Sequence, residues 1–565
     1  MRDFRRTLGV AAGVLALVGA SLTITPTAVG SAAASTTEYL VLLESGADRA
    51  AALAAVKAAG GTLVKENVNL GTMTVRAPAA GFVTKVSKSP AIEGAARNQK
   101  IGSVPRSKLN PVEQEHLIAG AARAAKSSAA TAAVGMDPLD TKLWGLRMVR
   151  SDLAREVQPG KKLVKVGVLD SGIDARNPDI APNFDWALSR NFVTDIPEVD
   201  GPCEFASCVD PVGWDDSGHG THVAGTIGAA ANGLGVSGVA PNVSLVEIRG
   251  GQDSGFLFLG PVVDALTYAA DVRLDVVNMS FYIDPWLYNC FANPADSPEA
   301  QAEQRTIIAV VTRALEYAHD RQVTLVGSLG NNHEDLGKPR TDFSSPDYGD
   351  VPPYPRPIDN ATCFDLPIEG PHVIGVSALG PSEKKADYSN YGLEQIEVSA
   401  PGGWFRDFFG TPNFRVNENL ILSTYPVNTL QADGLVDAAG NITPAGVAGG
   451  IQKECPAGET DYTRCGYYNY LQGTSMASPH ATGVVALIVS QFGKGTGAKF
   501  GLSPDQVHKR LFSSAQERSC PVPPLQTYTN EGRSAEFNAL CEGTTSFNGF
   551  YGHGIVDAYG AVTQK

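Results

Sequence analysis

Three short segments, far apart in the chain, each place a reactive polar residue at the end of an apolar or glycine-rich run. The first is the apolar run 163–169, which has the pattern of a buried strand and ends at Asp170. Open parallel sheets build their sites where strands end, so an aspartate there can orient another side chain. Aspartate also ends many strands for turn chemistry alone, and Asp170 by itself is weak evidence for catalysis.

The second segment, residues 215–226, reads DDSGHGTHVAGT and contains His219 and His222. Two histidines three residues apart on one helical face could bind a metal, but the zinc-protease pattern HExxH also requires a glutamate, which is missing here. We therefore interpret His219 as a general base, because a neutral imidazole titrates near working pH. We expect His222 to be a structural residue of the helix.

The third segment, residues 471–480, reads LQGTSMASPH. Its Gly-Thr turn delivers Ser475 to the start of a helix, where free backbone N–H groups and the positive end of the helix dipole can stabilise an oxyanion. The lipase elbow GxSxG would require glycine at position 477, which is Ala477. The sequence therefore disfavours an esterase of the α/β-hydrolase type.

Together, the order Asp, His, Ser and the motifs VLDSGID, HGTHVAG and GTSMASP resemble the signature blocks of the subtilisin-like serine proteases. The resemblance implies that Asp170 holds His219, which takes the proton of Ser475. Ser475 then attacks the peptide carbonyl to form an acyl-enzyme. It implies a serine endopeptidase that acts on proteins or peptides and needs no cofactor for its chemistry. A non-catalytic scaffold of the same fold is the rival hypothesis, but all three triad residues are present.

The same resemblance implies the fold and further site positions. We expect an α/β catalytic domain with a doubly wound, mainly parallel sheet and helices on both faces. The strand 323–330 ends at Asn331, which by similarity donates its side-chain amide to the developing oxyanion. The implied substrate-binding residues are Ser254, Gly255, Phe256, Ser280, Phe281, Ser328, Leu329 and Gly330. Several of these are bulkier than is usual in the family, so we expect an altered primary pocket.

Charge is distributed unevenly along the 565 residues. Residues 1–136 contain 15 Lys and Arg against 8 Asp and Glu, whereas residues 137–565 contain 30 against 51. The acidic body would be repelled by phosphate backbones and has no basic stripe, which argues against a nucleic-acid partner. A basic leader joined to an acidic body instead suggests a removable domain with an electrostatically complementary partner.

The leader is predicted to begin with a signal peptide over residues 1–34. Arg2, Arg5 and Arg6 precede an apolar stretch, and a run of small residues follows it, which is the layout of a cleaved export signal. A permanent N-terminal membrane anchor is the alternative. We therefore expect a secreted, extracellular protein that has no membrane contact once the signal is removed and that is a monomer.

Residues 35–105 predict the order β-α-β-β-α-β of a small α+β, ferredoxin-like domain. By the resemblance this is an inhibitory propeptide, so the protein's own leader becomes its intramolecular partner. Residues 106–136 are an Ala-rich linker, which we expect to be cleaved between about Ala122 and Met136. The catalytic domain then covers residues 137–565, and a permanent accessory domain is the alternative reading of the leader.

All eight cysteines lie in the acidic body, and an even number in an exported chain indicates disulfides. Closeness in sequence favours the pairs 203–208, 455–465 and 520–541, which leaves 290–363. We assign no metal ligand, because no cysteine or histidine spacing of the zinc type is present. Structural calcium is open, since the acidic loop 195–210 offers oxygen ligands and the resembling family often binds calcium. The GxGxxG match at 233–238 follows a helix, not a strand, so it does not indicate a dinucleotide site.

Overall fold

Residues 36–99 fold into a small α+β domain. The structure is a computed structural model that describes residues 36–99, 111–118, 137–347 and 352–564, so the predicted signal peptide and cleavage window lie outside the described residues. The elements of this domain are β1 (Thr36–Leu43), α1 (Arg49–Ala58), β2 (Thr62–Asn67), β3 (Thr72–Pro78), α2 (Phe82–Val86) and β4 (Ile92–Gln99). Its antiparallel sheet has the order β2-β3-β1-β4. The predicted ferredoxin-like arrangement is confirmed.

The remaining elements follow in chain order. The helices are α3 (Glu115–Ile118), α4 (Trp144–Met148), α5 (Ser151–Val157), α6 (Pro197–Asp200), α7 (His219–Gly228), α8 (Leu259–Asp271), α9 (Pro298–Asp320), α10 (Val427–Ala432), α11 (Pro444–Gly449), α12 (Thr474–Phe492), α13 (Pro504–Ser514) and α14 (Ala558–Thr563). The strands are β5 (Lys165–Leu169), β6 (Arg190–Asn191), β7 (Ser244–Arg249), β8 (Val276–Met279), β9 (Asn289–Cys290), β10 (Thr324–Ser328), β11 (Arg340–Asp342), β12 (Arg356–Ile358), β13 (Cys363–Phe364), β14 (Val373–Leu379), β15 (Val398–Pro401), β16 (Ile421–Tyr425), β17 (Gln452–Glu454), β18 (Gly466–Leu471), β19 (Leu525–Gln526) and β20 (Ala539–Leu540).

Seven parallel strands form the central sheet in the order β15-β14-β10-β8-β5-β7-β6. The chain starts at β5 in the middle, fills one side with β6 and β7, and then fills the other side from β8 to β15. Crossovers of this kind place helices on both faces and create a switch point beside the first strand. The predicted doubly wound, mainly parallel sheet is therefore confirmed.

Two hydrophobic cores lie on opposite faces of the central sheet. Along β5, Val166 and Val168 face the core that contains α7 and α12, whereas Leu169 faces the core that contains α8 and α9. The side chains divide in this way because successive residues of a strand point to opposite faces. Burial on both faces explains why β5 is an almost continuous apolar run in the sequence.

The N-terminal domain packs on α8 and α9 through the outer face of its sheet. In β1, Tyr39 and Val41 belong to the domain's own core, whereas Leu40 and Leu42 join the core of α8 and α9. Polar contacts complete the interface: both Nε and Nη2 of Arg97 donate to the carboxylate of Glu303 at 2.7 Å. Period-two alternation in one strand thus supplies both a domain core and a docking face.

The four predicted disulfides, 203–208, 290–363, 455–465 and 520–541, are all present. The second of them joins β9 to β13, which pair as a short antiparallel ribbon. It therefore ties together two connections of the central sheet, the one between β8 and β10 and the one between β10 and β14. Within the described parts of the chain, no helix is both long and apolar enough to cross a membrane.

Candidate active site

Asp170, His219 and Ser475 meet at the carboxyl edge of the central sheet. Asp170 follows β5, His219 is the first residue of α7, and Ser475 is the second residue of α12. Asp170 Oδ1 lies 2.8 Å from His219 Nδ1. All three residues line one cleft with a cavity volume of about 450 Å³. The structure therefore brings together the three residues that the sequence motifs identified.

The glycine that follows His219 lets α7 approach the end of β5. A Cβ atom on Gly220 would lie 2.2 Å from the carbonyl oxygen of Gly172 and 3.1 Å from Cβ of Asp170. The first turn of α7 is also fixed by Asp215, whose carboxylate accepts hydrogen bonds from both the backbone N–H and the hydroxyl of Thr221. The small residues of the HGTH motif are thus required by close packing.

A carboxylate from the leader faces the outer nitrogen of His219. Glu113 Oε1 lies 3.5 Å from His219 Nε2, whereas Asp170 contacts Nδ1 on the other side of the ring. Burial lowers the pKa of His219, but the Asp170 and Glu113 carboxylates outweigh it and raise that pKa well above its ordinary value. The Glu113 contact therefore favours the imidazolium form of His219, which cannot accept a proton.

Ser475 lies beside a side chain suited to bind an oxyanion. Asn331 Oδ1 accepts hydrogen bonds from the backbone N–H and the hydroxyl of Thr474, each at 2.9 Å. This pairing engages the amide oxygen and leaves the Nδ2 donor to face the cleft, which Asn331 lines together with Ser475. The hydroxyl of Ser475 itself donates to the carbonyl of Ser280 at 3.3 Å.

The comparisons with known proteins agree with the fold. A family model described as the Subtilase family matches residues 161–554. The chain belongs to the subtilase family. Subtilisin DY of Bacillus licheniformis is 27% identical over 372 residues, which cover 66% of this chain and 90% of that protein. The chain is accordingly a serine endopeptidase that acts on protein substrates.

Two solved structures share the fold. The epidermin leader peptide processing serine protease (EpiP) from Staphylococcus aureus matches with a TM-score of 0.60 and 19% identity, covering 94% of this chain and 99% of that one. Fervidolysin from Fervidobacterium pennivorans, a keratinolytic enzyme, matches with a TM-score of 0.57 and 22% identity, covering 94% of this chain and 61% of that one. At these identities the likeness concerns the fold alone.

His222 lies inside this subtilase, away from the cleft lining. Its Nε2 is 3.0 Å from the carbonyl oxygen of Ile421 and 3.2 Å from that of Asn469, two acceptors that require a ring N–H. Burial lowers the pKa of His222 to about 3, so the ring is neutral. These contacts fit the structural role that the sequence predicted for it.

Seven of the eight predicted substrate-binding residues line the cleft with the triad: Ser254, Gly255, Phe256, Ser280, Phe281, Ser328 and Gly330. Leu329 does not. Its side chain is fully buried in the core of α8 and α9, while its backbone N–H donates to the carbonyl of Val376. Neighbouring residues of an extended strand face opposite ways, so Ser328 and Gly330 reach the cleft and Leu329 cannot.

Part of the predicted linker lies against the cleft of the subtilase. The backbone N–H of Gln472 donates to the carbonyl of Glu113 at 3.2 Å, and the Gln472 side chain donates to the carbonyl of Val112 at 2.9 Å. Two residues later, Glu115 accepts hydrogen bonds from Arg406 at 2.5 Å and Arg533 at 2.9 Å. The sequence motifs could not predict these contacts, because both arginines lie outside them.

Carboxylates near the cleft could hold a cation. Two groups have suitably close oxygens: Asp195, Glu204 and Asp253 in one, and Glu204, Asp210 and Asp216 in the other. The buried guanidinium of Arg249 already pairs with Asp210 and Asp253. Within the described chain, both carboxylate oxygens of Asp195 are buried without a hydrogen-bond partner, so this residue fits an ion such as calcium. Subtilases need no cofactor for catalysis, and many bind structural calcium.

Proposed function

We propose that this subtilase is made as a secreted, self-processing zymogen and that Asp170, His219 and Ser475 are its catalytic triad. The observation that carries the proposal is the 2.8 Å contact between Asp170 and His219 in the cleft that also contains Ser475 at the head of α12. The reaction class follows from the order of these groups: an orienting carboxylate, a base and a nucleophile within one site.

In the proposed mechanism Asp170 holds the imidazole so that Nδ1 carries a proton and Nε2 is the base. His219 Nε2 takes the proton of Ser475, whose oxygen attacks the peptide carbonyl carbon. The negative charge on the carbonyl oxygen is stabilised by the amide of Asn331 and the backbone N–H of Ser475; one such donor is worth about 3 kcal/mol or more. His219 then protonates the leaving amine, and water hydrolyses the acyl-enzyme by the reverse sequence.

The zymogen part of the proposal rests on two contacts of the leader. The N-terminal domain docks on α8 and α9, and residues 112–113 hydrogen-bond to Gln472, three residues before Ser475. Glu113 also occupies the space next to the base of the triad. A leader that covers the cleft and keeps His219 protonated would delay activity until it is cut and released.

Replacing the nucleophile tests the triad. We expect Ser475→Ala to lose at least about 10⁴-fold in kcat toward casein and to lose reaction with a fluorophosphonate probe. It should also accumulate with the leader uncut. The matched control is Ser513→Ala, on the exposed side of α13. Casein cleavage by purified Ser475→Ala, or probe attached to another residue, would refute the assignment.

Export and maturation are tested on the secreted wild-type protein. N-terminal sequencing should find a start between residues 122 and 136 in the culture medium, and Ser475→Ala should start near residue 35. Recovery of both proteins only from inside the cells would contradict secretion. A wild-type protein that labels with the probe as fast with its leader as without it would contradict the zymogen.

A further inference from the structure

The cleft of this enzyme has an unusual acidic end. The strand-like segment 280–284 forms one wall, the segment 328–330 forms the other, and both contribute residues to the cavity lining next to Ser475. The backbone N–H of Ile283 donates to the carbonyl of Leu366 at 2.9 Å, which holds the segment after β13 next to the segment 280–284. Asp365, the residue before Leu366, is thereby placed in the lining.

Asp365 is buried but not fully paired. It is 3% exposed, and its Oδ1 has no hydrogen-bond partner among the described residues. Its other oxygen, Oδ2, lies 3.5 Å from the position that a Cβ would take on Gly330, so the glycine wall of the cleft is in contact with the carboxylate. A second buried carboxylate, Asp284, lines the same end and accepts a hydrogen bond from the backbone of Leu257 at 2.8 Å.

The surroundings of Asp365 offset its negative charge only in part. The neighbouring cation, Arg340, contacts Glu334 at 3.1 Å and Glu369 at 3.8 Å, so it is shared among carboxylates. The residues described in the cavity lining include no lysine and no arginine. Burial first, and then the Glu369 carboxylate, raise the pKa of Asp365 well above its ordinary range. Burial therefore disfavours the charged form of this carboxyl group, and a cation that enters the cavity favours it.

We propose that this end of the cleft binds the substrate side chain just before the cleaved bond and that Asp365 selects arginine or lysine there. The proposal rests on the proposed function, because it assigns specificity to the Ser475 site. A buried carboxylate without a cation is costly, and a substrate guanidinium or ammonium supplies the missing charge and hydrogen-bond donors. Glutamate in the same place would be repelled by Asp365 and Asp284.

The sequence contains a natural substrate for this preference. The expected cleavage window, residues 122–136, has two basic residues, Arg123 and Lys126. Selection of a basic side chain therefore narrows self-processing to the bonds after these two residues. The mature protein should begin at Ala124 or Ser127.

Fluorogenic peptides that differ only in the residue before the cleaved bond test the proposal, with the secreted wild-type protein. We expect kcat/KM for arginine and lysine peptides to exceed that for phenylalanine, glutamine and glutamate peptides by on the order of 100-fold. Asp365→Asn should lose most of the arginine advantage and keep its fluorophosphonate labelling. The matched control is Asp359→Asn, an exposed aspartate of the same insertion, which should retain the wild-type preference.

A second measurement needs no variant. Peptide aldehydes ending in arginine or in phenylalanine are allowed to compete with the fluorophosphonate probe for wild-type protein, and the arginine aldehyde should protect at a concentration at least about tenfold lower. A labelled enzyme that prefers phenylalanine, or an Asp365→Asn variant with an unchanged arginine preference, would overturn this proposal alone. Absence of labelling in wild-type protein would overturn the triad itself.

Discussion

Asp365 at the base of the cleft and the arginine pair near Gln472 are two charged features of one enzyme, and they differ in what balances their charge. Arg406 and Arg533 are neutralised within the chain, since both donate to the carboxylate of Glu115. Asp365 has a buried oxygen without a partner among the described residues. The first arrangement is complete without any substrate, whereas the second needs a cation from outside.

If the leader inhibits the enzyme and Asp365 binds substrate, as proposed, the difference separates contacts of inhibition from contacts of substrate binding. Glu115 belongs to the leader, and Arg533 is already held by Asp387 at 2.5 Å, so under the zymogen proposal the arginine pair is a preformed receptor for a segment that is later removed. Preparation of this kind lowers the entropy lost on docking. Asp365 has no such carboxylate-to-arginine pairing at its Oδ1, which has no hydrogen-bond partner among the described residues, and this fits the proposed substrate subsite.

Among the changes that test this comparison, Glu115→Gln is expected to have the largest effect on the labelling rate. The change removes the Glu115 carboxylate from Arg406 and Arg533, whose side chains are only 14% and 18% exposed. A lost charge-assisted contact of this burial is worth about 2 kcal/mol, so the full-length protein should react with a fluorophosphonate roughly 30-fold faster. The labelling rate of the full chain is the measurement, and Glu44→Gln, exposed on the N-terminal domain, is the control.

An unchanged labelling rate in Glu115→Gln would mean that the arginine pair does not hold the leader in place. Equal acceleration in Glu44→Gln would point to a general loosening of the N-terminal domain. Either result would remove the contrast with Asp365, whose replacement is expected to change substrate preference and leave latency intact.

The sequence predicted the parts whose chemistry is local in the chain. Asp170, His219 and Ser475 are each marked by glycines and small residues that the site itself requires, such as Gly220 against the carbonyl of Gly172. Likewise, the order β-α-β-β-α-β follows from two helical runs and four strand-like runs in residues 36–99. Patterns of this kind survive without any knowledge of the tertiary fold.

The sequence could not predict what the insertions bring together. Asp365 follows β13, and its place in the cleft depends on the ribbon that pairs Cys363 with Cys290 and on the contact of Leu366 with Ile283. Glu113 sits in a segment that the sequence predicted to be a connector, and only the tertiary fold brings it to His219. Leu329 is the opposite case. The sequence identified the right segment, but side chains alternate along it and the Leu329 side chain lies in the core.

A smaller effect on the labelling rate is expected from Glu113→Gln, because Glu113 connects the leader to the pH dependence of latency. The Asp170 and Glu113 carboxylates raise the pKa of His219 despite its burial, so the contact is at full strength below the ordinary histidine pKa. It is lost as the pH rises through the raised value. We therefore expect full-length protein to label faster as the pH increases, with the rise displaced to lower pH in Glu113→Gln and labelling near pH 7 faster by roughly three- to tenfold.

The measurement is the labelling rate of the full chain from pH 5 to pH 10, with Gln114→Ala as a neighbouring replacement that removes no charge. Identical pH profiles for Glu113→Gln and wild-type protein would show that this carboxylate does not act on His219. A uniformly faster rate without displacement of the profile would assign Glu113 a packing role only.

The smallest effect is expected from salt, because the charged contacts between the N-terminal domain and the body are few and of mixed sign. Lys65 pairs with Asp264 and Arg97 with Glu303, whereas Glu93 pairs with Arg313 in the reverse sense. Raising the salt concentration from 0.1 M to 1 M shortens the Debye length from about 10 Å to about 3 Å, and exposed pairs contribute only about 0–1 kcal/mol.

The labelling rate of full-length protein should therefore rise by no more than about fivefold over this range of sodium chloride. Lys65→Gln, which removes the most exposed of the three basic partners, should flatten the response. Arg97→Gln should raise the rate at every salt concentration, since Glu303 is buried and its pair is poorly screened. A labelling rate that does not change with salt would mean that the charge difference between leader and body is a coincidence. A rise of 100-fold would mean that long-range charge is the main determinant of latency and that the Glu115 contact is secondary.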